Sequence, residues 1–175
     1  MKYLLEGVET ERLRFRKLEK EDYNCWLTFF RHPGAADYLG LGSGKMPGEL
    51  CYEWFKRVFY RYENDLGGMN MLIDKLLDVP VGQCGIHIQE VDGVREFEVG
   101  YSILPEYWGR QYATEAAIKS KECAFERGYS ESVISIIQIN NIRSQKVALK
   151  NGMKLEKTTI FRENRVNIFR VSNNK

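Results

Sequence analysis

Between Glu98 and Ala117 the chain reads EVGYSILPEYWGRQYATEAA: a strand-like run stopped by Pro105, a short aromatic and glycine loop, then a helical pattern of small residues. Proline cannot extend a β ladder, so strand, loop and helix must follow one another within a few residues. The helix opens onto the loop with its first N–H groups unpaired and the positive end of its dipole exposed, which makes a site for an anion. Hydrogen bonds to a charged acceptor contribute about 1.5–3 kcal/mol each, so three or four loop amides suffice for a pyrophosphate, with Arg110 adding a mobile charge. Read alone, the same residues also fit a turn at Gly109 with Tyr107 and Trp108 capping a core.

Around this segment the hydrophobic period changes several times. Arg12–Lys17 alternates charge with Leu13 and Phe15, the period of two of a half-buried strand. Glu21–Arg31 places Tyr23, Trp26, Leu27 and Phe30 at helical spacing, and His32-Pro33-Gly34 stops it. A second helix starts at Pro47, carries Leu50, Trp54, Val58 and Tyr62 on one face, and runs to about Leu66. Met69–Leu77, Val81–Val91 and Phe97–Leu104 are apolar, β-branched runs divided by Pro80 and Asp92-Gly93, which predicts three antiparallel strands. Residues 111–128 form a helix whose stripe of Ala113, Ala116, Ala117, Ser120, Cys123 and Ala124 lets it lie close on a sheet, ending at Gly128. Val133–Ile139 reads as a buried strand, Ser144–Lys150 as a short helix, and Lys154–Val171 as a hairpin turning at Arg162-Glu163-Asn164. The expected order is βααβββαβαββ, in one mixed α/β domain over residues 1–175.

With 175 residues, 43% of them hydrophobic, such a domain buries roughly 70% of the surface its unfolded chain exposes and needs no covalent staples. Cys25, Cys51, Cys84 and Cys123 lie far apart without a Cys-x-x-Cys pair, which fits reduced thiols in a cytoplasm better than a zinc ribbon or a redox pair. His32 and His87 are the only histidines, and neither has a second ligand at metal spacing, so no metal site is expected. The 26 basic and 24 acidic residues are interspersed, with a net charge of +2, which speaks against a nucleic-acid partner. Apolar runs fall short of the ~20 residues that cross a bilayer, and Glu6 and Glu9 stand where a secretory signal needs an apolar core, so no membrane partner is expected. A cytoplasmic monomer or homodimer is the expectation. The loop GLGSGK at Gly40–Lys45 is one residue short of a nucleotide P-loop and has Met46 where a magnesium-binding hydroxyl belongs. It reads as a mobile loop bordering a substrate.

Three stretches resemble one family: ETERLRFRKL at Glu9–Leu18, GYSILPEYWGRQYATEAA at Gly100–Ala117 and NIRSQKVALKNGM at Asn141–Met153. Together they are similar to the GNAT superfamily of acetyl-coenzyme A (acetyl-CoA) dependent N-acetyltransferases, and within it to the ribosomal-protein N-terminal acetyltransferases of the RimJ/RimL type. The resemblance implies a GNAT-like fold: a central, mostly antiparallel seven-stranded sheet with about four helices on both faces, in which strand Val99–Leu104 splays away from Val133–Ile139. It also implies that acetyl-CoA is the cosubstrate, its pantetheine inserting between those strands and pairing with backbone groups of Ile103 and Leu104. Trp108, Gly109, Arg110, Gln111, Tyr112, Ala113 and Thr114 would hold the pyrophosphate, and Asn141 the pantetheine arm. Asn141 also reads as a helix cap. The family's loop runs Arg or Gln, two variable residues, Gly, one variable residue, then Gly or Ala; here those three positions hold Trp108, Gln111 and Ala113. Glycine permits positive φ and a close approach to phosphate, so Gln111 is expected either to take ordinary helical geometry or to displace the cofactor slightly.

The implied chemistry is direct attack of a neutral amine on the thioester in a ternary complex, with no covalent enzyme intermediate, so the cysteines are read as packing. Ser144 lies where this branch places a hydroxyl near the sulfur, as general acid or donor to the thiolate; a plain polar helix position is the alternative. Glu98, on the strand beside the cofactor, is the best carboxylate to take the amine proton, with Glu96 its competitor and a solvated strand face the alternative for both. An α-amine with a pKa near 8 costs only about 1.4 kcal/mol to deprotonate at pH 7, whereas a lysine costs about 4–5 kcal/mol. The acceptor is therefore expected to be a protein N-terminal α-amine or a small-molecule primary amine. Its side of the site is expected from the first two helices, the Tyr38–Met46 loop and the closing hairpin; Trp54, Phe55, Phe59 and Tyr60 are candidates to line it, although aromatics at helical spacing more often belong to a core. N-acetyl transfer is the expected function; the alternative is a non-catalytic acyl-CoA sensor that has kept the fold.

Overall fold

The computed structural model describes residues 2–41 and 44–173, so Gly42 and Ser43 of the expected mobile loop lie outside the described residues. The chain runs β1 (Leu13–Lys17), α1 (Tyr23–Arg31), α2 (Pro47–Glu63), β2 (Gly67–Asp74), β3 (Val79–Val91), β4 (Val94–Ile103), α3 (Tyr112–Glu126), β5 (Ser132–Gln138), α4 (Ile142–Lys150), β6 (Lys154–Phe161) and β7 (Asn164–Ser172). Short 3₁₀ turns at Lys20–Asp22 and Pro105–Tyr107 precede α1 and follow β4. This is the expected order of elements. The strands form one seven-stranded sheet in the order β1-β2-β3-β4-β5-β7-β6, antiparallel throughout except between β4 and β5.

The period of two along β2 sends its side chains to two separate cores. Met69, Met71 and Ile73 pack with Trp26, Phe29, Trp54, Phe55 and Val58 under α1 and α2. Leu72 points the other way, into a core with Leu13, Phe15, Ile86, Val99 and the α3 residues Ala116, Ala117, Cys123 and Ala124. The small stripe on α3 is thus the face that lies on the sheet, with Ser120 satisfied by the Ala116 carbonyl at 2.8 Å.

Several boundaries move for identifiable reasons. Helix α2 ends at Glu63 rather than near Leu66, because Asn64 caps it and Asp65 turns at positive φ. Strand β2 begins at Gly67, two residues earlier than expected, since Gly67 takes a φ of +70° and a Cβ there would stand 1.9 Å from the Ile86 carbonyl oxygen. Pro80 does not end a strand but lies within β3, opposite Ile73 where the β2 register shifts, so its missing N–H falls at an irregularity of the ladder. Helix α4 starts at Ile142, which places Ser144 inside its first turn.

Candidate active site

The sheet comes apart between its fourth and fifth strands. β3 and β4 pair from Val91↔Val94 to Gly82↔Ile103, and β5 pairs with β7 from Ser132↔Ser172 to Gln138↔Val166, yet β4 and β5 meet only at Glu98↔Ile134. Just beyond that point the Ser135 hydroxyl donates to the Val99 carbonyl at 2.8 Å, a side-chain bond where the next ladder bond would form. From there the strands diverge and border a cavity of ≈ 1150 Å³ that also reaches α1, α2, α4 and the β6–β7 turn.

Strand parity decides which main-chain groups face this gap. Leu104 gives its N–H to Val81 O on β3 (2.9 Å) and its carbonyl accepts from Tyr107 N–H (2.9 Å). Alternation along β4 then turns Tyr101 and Ile103 toward β5. The Ile103 carbonyl accepts the Trp108 indole N–H at 2.7 Å, leaving the N–H groups of Tyr101 and Ile103 and the Tyr101 carbonyl for a ligand. Both main-chain polar groups of Leu104, expected to pair with pantetheine, are thus engaged within the protein, while those of Tyr101 face the gap.

At the far end of β4 the chain turns through Pro105–Tyr107 into α3. The first helical bond is Glu115 N–H to Gln111 O (3.0 Å), and from Gly109 to Thr114 the N–H groups have no acceptor among the described residues. Six consecutive unpaired donors at a helix start offer hydrogen bonds to an anion. Gln111 does not take the ordinary helical geometry that is one of its two expectations. As N-cap residue it takes φ +67° and ψ +5°, the left-handed geometry that a glycine would adopt. That conformation costs a residue with a side chain roughly 1–2 kcal/mol. Its amide oxygen accepts from Lys150 Nζ at 2.9 Å, tying the loop to α4. The Arg110 guanidinium instead stacks on Tyr107, 5.3 Å from the ring centroid, and does not line the cavity, so its expected contact with phosphate is not formed by the protein alone. The cations that do line this end are Arg143, Lys146 and Lys150 of α4, with Arg143 4.7 Å from the Trp108 ring.

The opening motif explains how this helix start is held. Glu115, in the first turn of α3, accepts from the Thr10 hydroxyl, from Arg12 N–H (2.9 Å) and from Arg12 Nε (2.7 Å), while Tyr112 donates to Asp74. Hydrogen bonds from Thr10 and Arg12 outweigh the burial that would raise it and hold the Glu115 carboxyl below its ordinary value, so it stays charged beside the helix dipole.

At the closed end of the gap Glu98 lies against His87, its cross-strand partner, with 3.5 Å between carboxylate and Nδ1. Gln89 donates to the same carboxylate oxygen at 2.7 Å. Burial alone would raise the Glu98 pKa, but the bonds from His87 and Gln89 and the charge of Arg61 outweigh it and keep the carboxyl below its usual range. Burial also holds His87 below its ordinary value, against the opposing pull of Glu98. The pair is therefore an ionised carboxylate beside a neutral imidazole at pH 7, and the His87 Nε2 is buried with no protein partner. Glu96 is no competitor: Arg170 clasps both its oxygens at 2.6 and 3.0 Å, away from the cavity.

Ser144 lines the gap and its carbonyl receives the Tyr101 hydroxyl at 2.8 Å, which fixes α4 against β4. Asn141 caps α4 by accepting Ser144 N–H at 3.1 Å while also lining the cavity, so the cap and a ligand contact through its other amide atom are compatible. The four cysteines are free; burial pushes Cys51 and Cys84 up to about 12 and raises Cys25 and Cys123 as well, so none is a ready thiolate. Among the described residues no group of three His, Cys, Asp or Glu side chains could hold a metal, and no helix is long and apolar enough to cross a membrane.

Residues of α1, α2, the loop after α1 and the β6–β7 turn border the cavity, and the candidate aromatics of α2 divide between cavity, core and surface. Trp54 lines the cavity, its indole bonded to Gln83 at 2.9 Å, but Phe55 is core, Tyr60 is 59% exposed, and neither they nor Phe59 reach it. Arg57, Val58 and Arg61 of α2 are there instead, with Tyr38, Leu39, Gly40 and Arg162.

A strand gap with open main-chain groups, ending at six free N–H donors, fits a peptide-like chain tailed by a diphosphate. A family-wide sequence profile for the acetyltransferase (GNAT) domain matches residues 12–154. The chain is 31% identical to the YkkB protein of Bacillus subtilis (strain 168), over 85% of this chain and 86% of that one. Among solved structures it is similar to an acetyltransferase from Agrobacterium tumefaciens str. C58, with a TM-score of 0.77 at 24% identity over 94% of this chain and 92% of the other. It is also similar to the RimL alpha-N-protein acetyltransferase in complex with coenzyme A, with a TM-score of 0.71 at 12% identity over 95% and 97% of the two chains. The chain belongs to the GNAT acetyltransferase family, whose cosubstrate is acetyl-CoA.

Proposed function

We propose that the protein transfers the acetyl group of acetyl-CoA to a primary amine, a protein N-terminal α-amine or a small-molecule amine, by direct attack in a ternary complex. The observation that carries this reading is the wedge between β4 and β5, closed at Glu98↔Ile134 and open toward the free N–H groups of Gly109–Thr114. It lays the two halves of the site on one line, with the phosphate cradle at one end and an ionised carboxylate at the other.

When bound, acetyl-CoA supplies an electrophilic acyl carbon and a thiolate leaving group. The N–H groups of Tyr101 and Ile103 orient the peptide-like arm, and the loop amides with Lys146 and Lys150 fix its charged tail. Glu98 receives the proton released by the amine, and His87 holds that carboxylate in place. A carboxylate kept at low pKa is a weak base, so it suits an amine that reaches it largely neutral, as an α-amine does near pH 8. The Ser144 hydroxyl, on the first turn of α4, faces the cavity as a proton donor for the departing sulfur.

The test has two stages. Millimolar coenzyme A should raise the melting temperature, since a ligand at 100 times its Kd contributes about 2.7 kcal/mol to the folded state. Acetyl-CoA with a panel of primary amines should then release free thiol in step with acetylated product. Stabilisation without product on any amine would favour the sensor; no stabilisation at all would overturn the cofactor site itself.

A further inference from the structure

The cavity has a second cationic wall, which the phosphate end does not need. Arg57 and Arg61, one turn apart on α2, and Arg162 at the β6–β7 turn all line it on the side of the Glu98 and His87 pair. Four other arginines are ion-paired: Arg12 with Glu115, Arg14 with Asp78, Arg16 with Asp22 and Arg170 with Glu96, all at 2.6 to 2.9 Å. Among the described residues Arg57, Arg61 and Arg162 have no carboxylate within ion-pair distance. Arg61 is 7% exposed and donates to the Leu66 and Ile88 carbonyls at 3.0 and 2.6 Å, while its Nε is buried without a partner. Arg57 reaches only the Gly40 carbonyl, at 3.5 Å, and Arg162 only Gln89 Oε1, at 3.4 Å, with its guanidinium 5.0 Å from the Phe161 ring. Glu53, the nearest carboxylate on the α2 side, is held by Lys45 at 2.8 Å. Burial and the charge of Arg162 push the Arg57 pKa down against a weaker pull from Glu53; burial, Arg162 and Arg57 likewise push Arg61 down against the pull of Glu98, so three like charges share one space without a directly paired carboxylate.

The diphosphate of the cosubstrate cannot be that counterion. Its cradle follows Ile103, whereas Arg61 and Arg162 bond to β3 residues beside Glu98, five strand residues back, or about 16 Å. Unpaired guanidinium groups in a half-buried cavity carry a desolvation penalty that a bound carboxylate or phosphate relieves through short, bidentate hydrogen bonds.

We infer that this wall selects the acceptor: the amine substrate carries an anionic group, a carboxylate or phosphate on a small molecule, which Arg57 and Arg162 clasp while Arg61 stands behind them and the amine rests against Glu98 and His87. The inference rests on the acetyl-transfer reading for the position of the amine, and it adds that a polyamine is disfavoured by like charge.

Matched acceptors test it: O-phosphoethanolamine against ethanolamine, L-phenylalanine against L-phenylalaninamide, the peptide amide Ala-Glu-Glu against Ala-Gln-Gln, and spermidine as a cationic control. Two readouts are taken, thiol release from acetyl-CoA and calorimetric binding of each amine to the coenzyme A-loaded protein. At least one small anionic amine should exceed its neutral partner about tenfold or more in kcat/KM and in affinity, and Arg57→Gln and Arg162→Gln should each pull that ratio toward one. Arg162 is exposed in a turn, so its variant folds irrespective of Arg57, and Arg162→Lys should keep part of the preference. Selective binding of the anionic member without turnover supports the subsite and overturns the catalytic reading. Equal responses within every small-molecule pair, including none from either member, overturn the subsite, as does a preference confined to the acidic peptide or to spermidine.

Discussion

The two ends of the cleft are built from different materials. The cosubstrate end is main chain: six N–H groups at the start of α3 and the open edge of β4. The proposed acceptor end is side chain: Glu98, His87, Arg57, Arg61 and Arg162, drawn from β4, β3, α2 and the β6–β7 turn. Main-chain sites depend on dihedral angles and tolerate changes of residue, as Gln111 in a glycine's conformation demonstrates. Side-chain sites depend on particular atoms from distant segments and should fail one substitution at a time.

This contrast orders the expected effects. Glu98→Gln should lower kcat by about 100-fold or more, the usual range for loss of a positioned base, and leave the stabilisation by coenzyme A in place. A loss of coenzyme A binding in that variant would mean that the two ends are not separable. Ala113→Asp sets a negative charge among the free amides, in a helix turn that accepts acidic residues. At 4 to 6 Å such a charge costs about 1–4 kcal/mol, so the Kd for coenzyme A should rise roughly tenfold or more with the KM for the amine little changed. Ser144→Ala should reduce kcat several-fold, on the order of one hydrogen bond to a developing charge, and unchanged turnover would remove Ser144 from the proton path.

Two smaller effects concern stability. His87 is held neutral in the folded state with its pKa lowered, so the unfolded chain binds that proton more readily. Its contribution is full above the unfolded value of about 6.5 and is lost as pH falls through the folded value. The urea midpoint of the wild-type protein should therefore drop between pH 7 and 5 more steeply than that of His87→Gln. Gln111→Gly relieves the left-handed conformation but frees the unfolded chain and releases Lys150, so unfolding free energy should change by less than about 1 kcal/mol and coenzyme A affinity by less than about twofold.

The same contrast explains what could be read from residues alone. Element order, the small stripe on α3 and the anion site all follow from local pattern, because period and punctuation are local properties. The main-chain N–H of Leu104 turns away from the gap because it pairs with Val81 across the ladder, and such parity cannot be read from an isolated strand. Pro80 lies within β3 because the partner strand shifts register opposite it, again a matter of pairing. On α2 the regular stripe of Trp54, Val58 and Tyr62 directs attention to the core face, and Arg57 and Arg61 beside it look like solvated positions. Only the approach of the β6–β7 turn, about a hundred residues later in the chain, makes them cavity walls. His87 carries no local signal, since its significance comes from facing Glu98 across the ladder.

Gln111 separates a geometric requirement from the letter that customarily meets it. Chains that retain the torsion but not the glycine would escape a search keyed to the residue and be found by one keyed to the angle. The anchor to Lys150 offers such chains something hydrogen at the α-carbon cannot: a handle by which a second helix can steady the cradle.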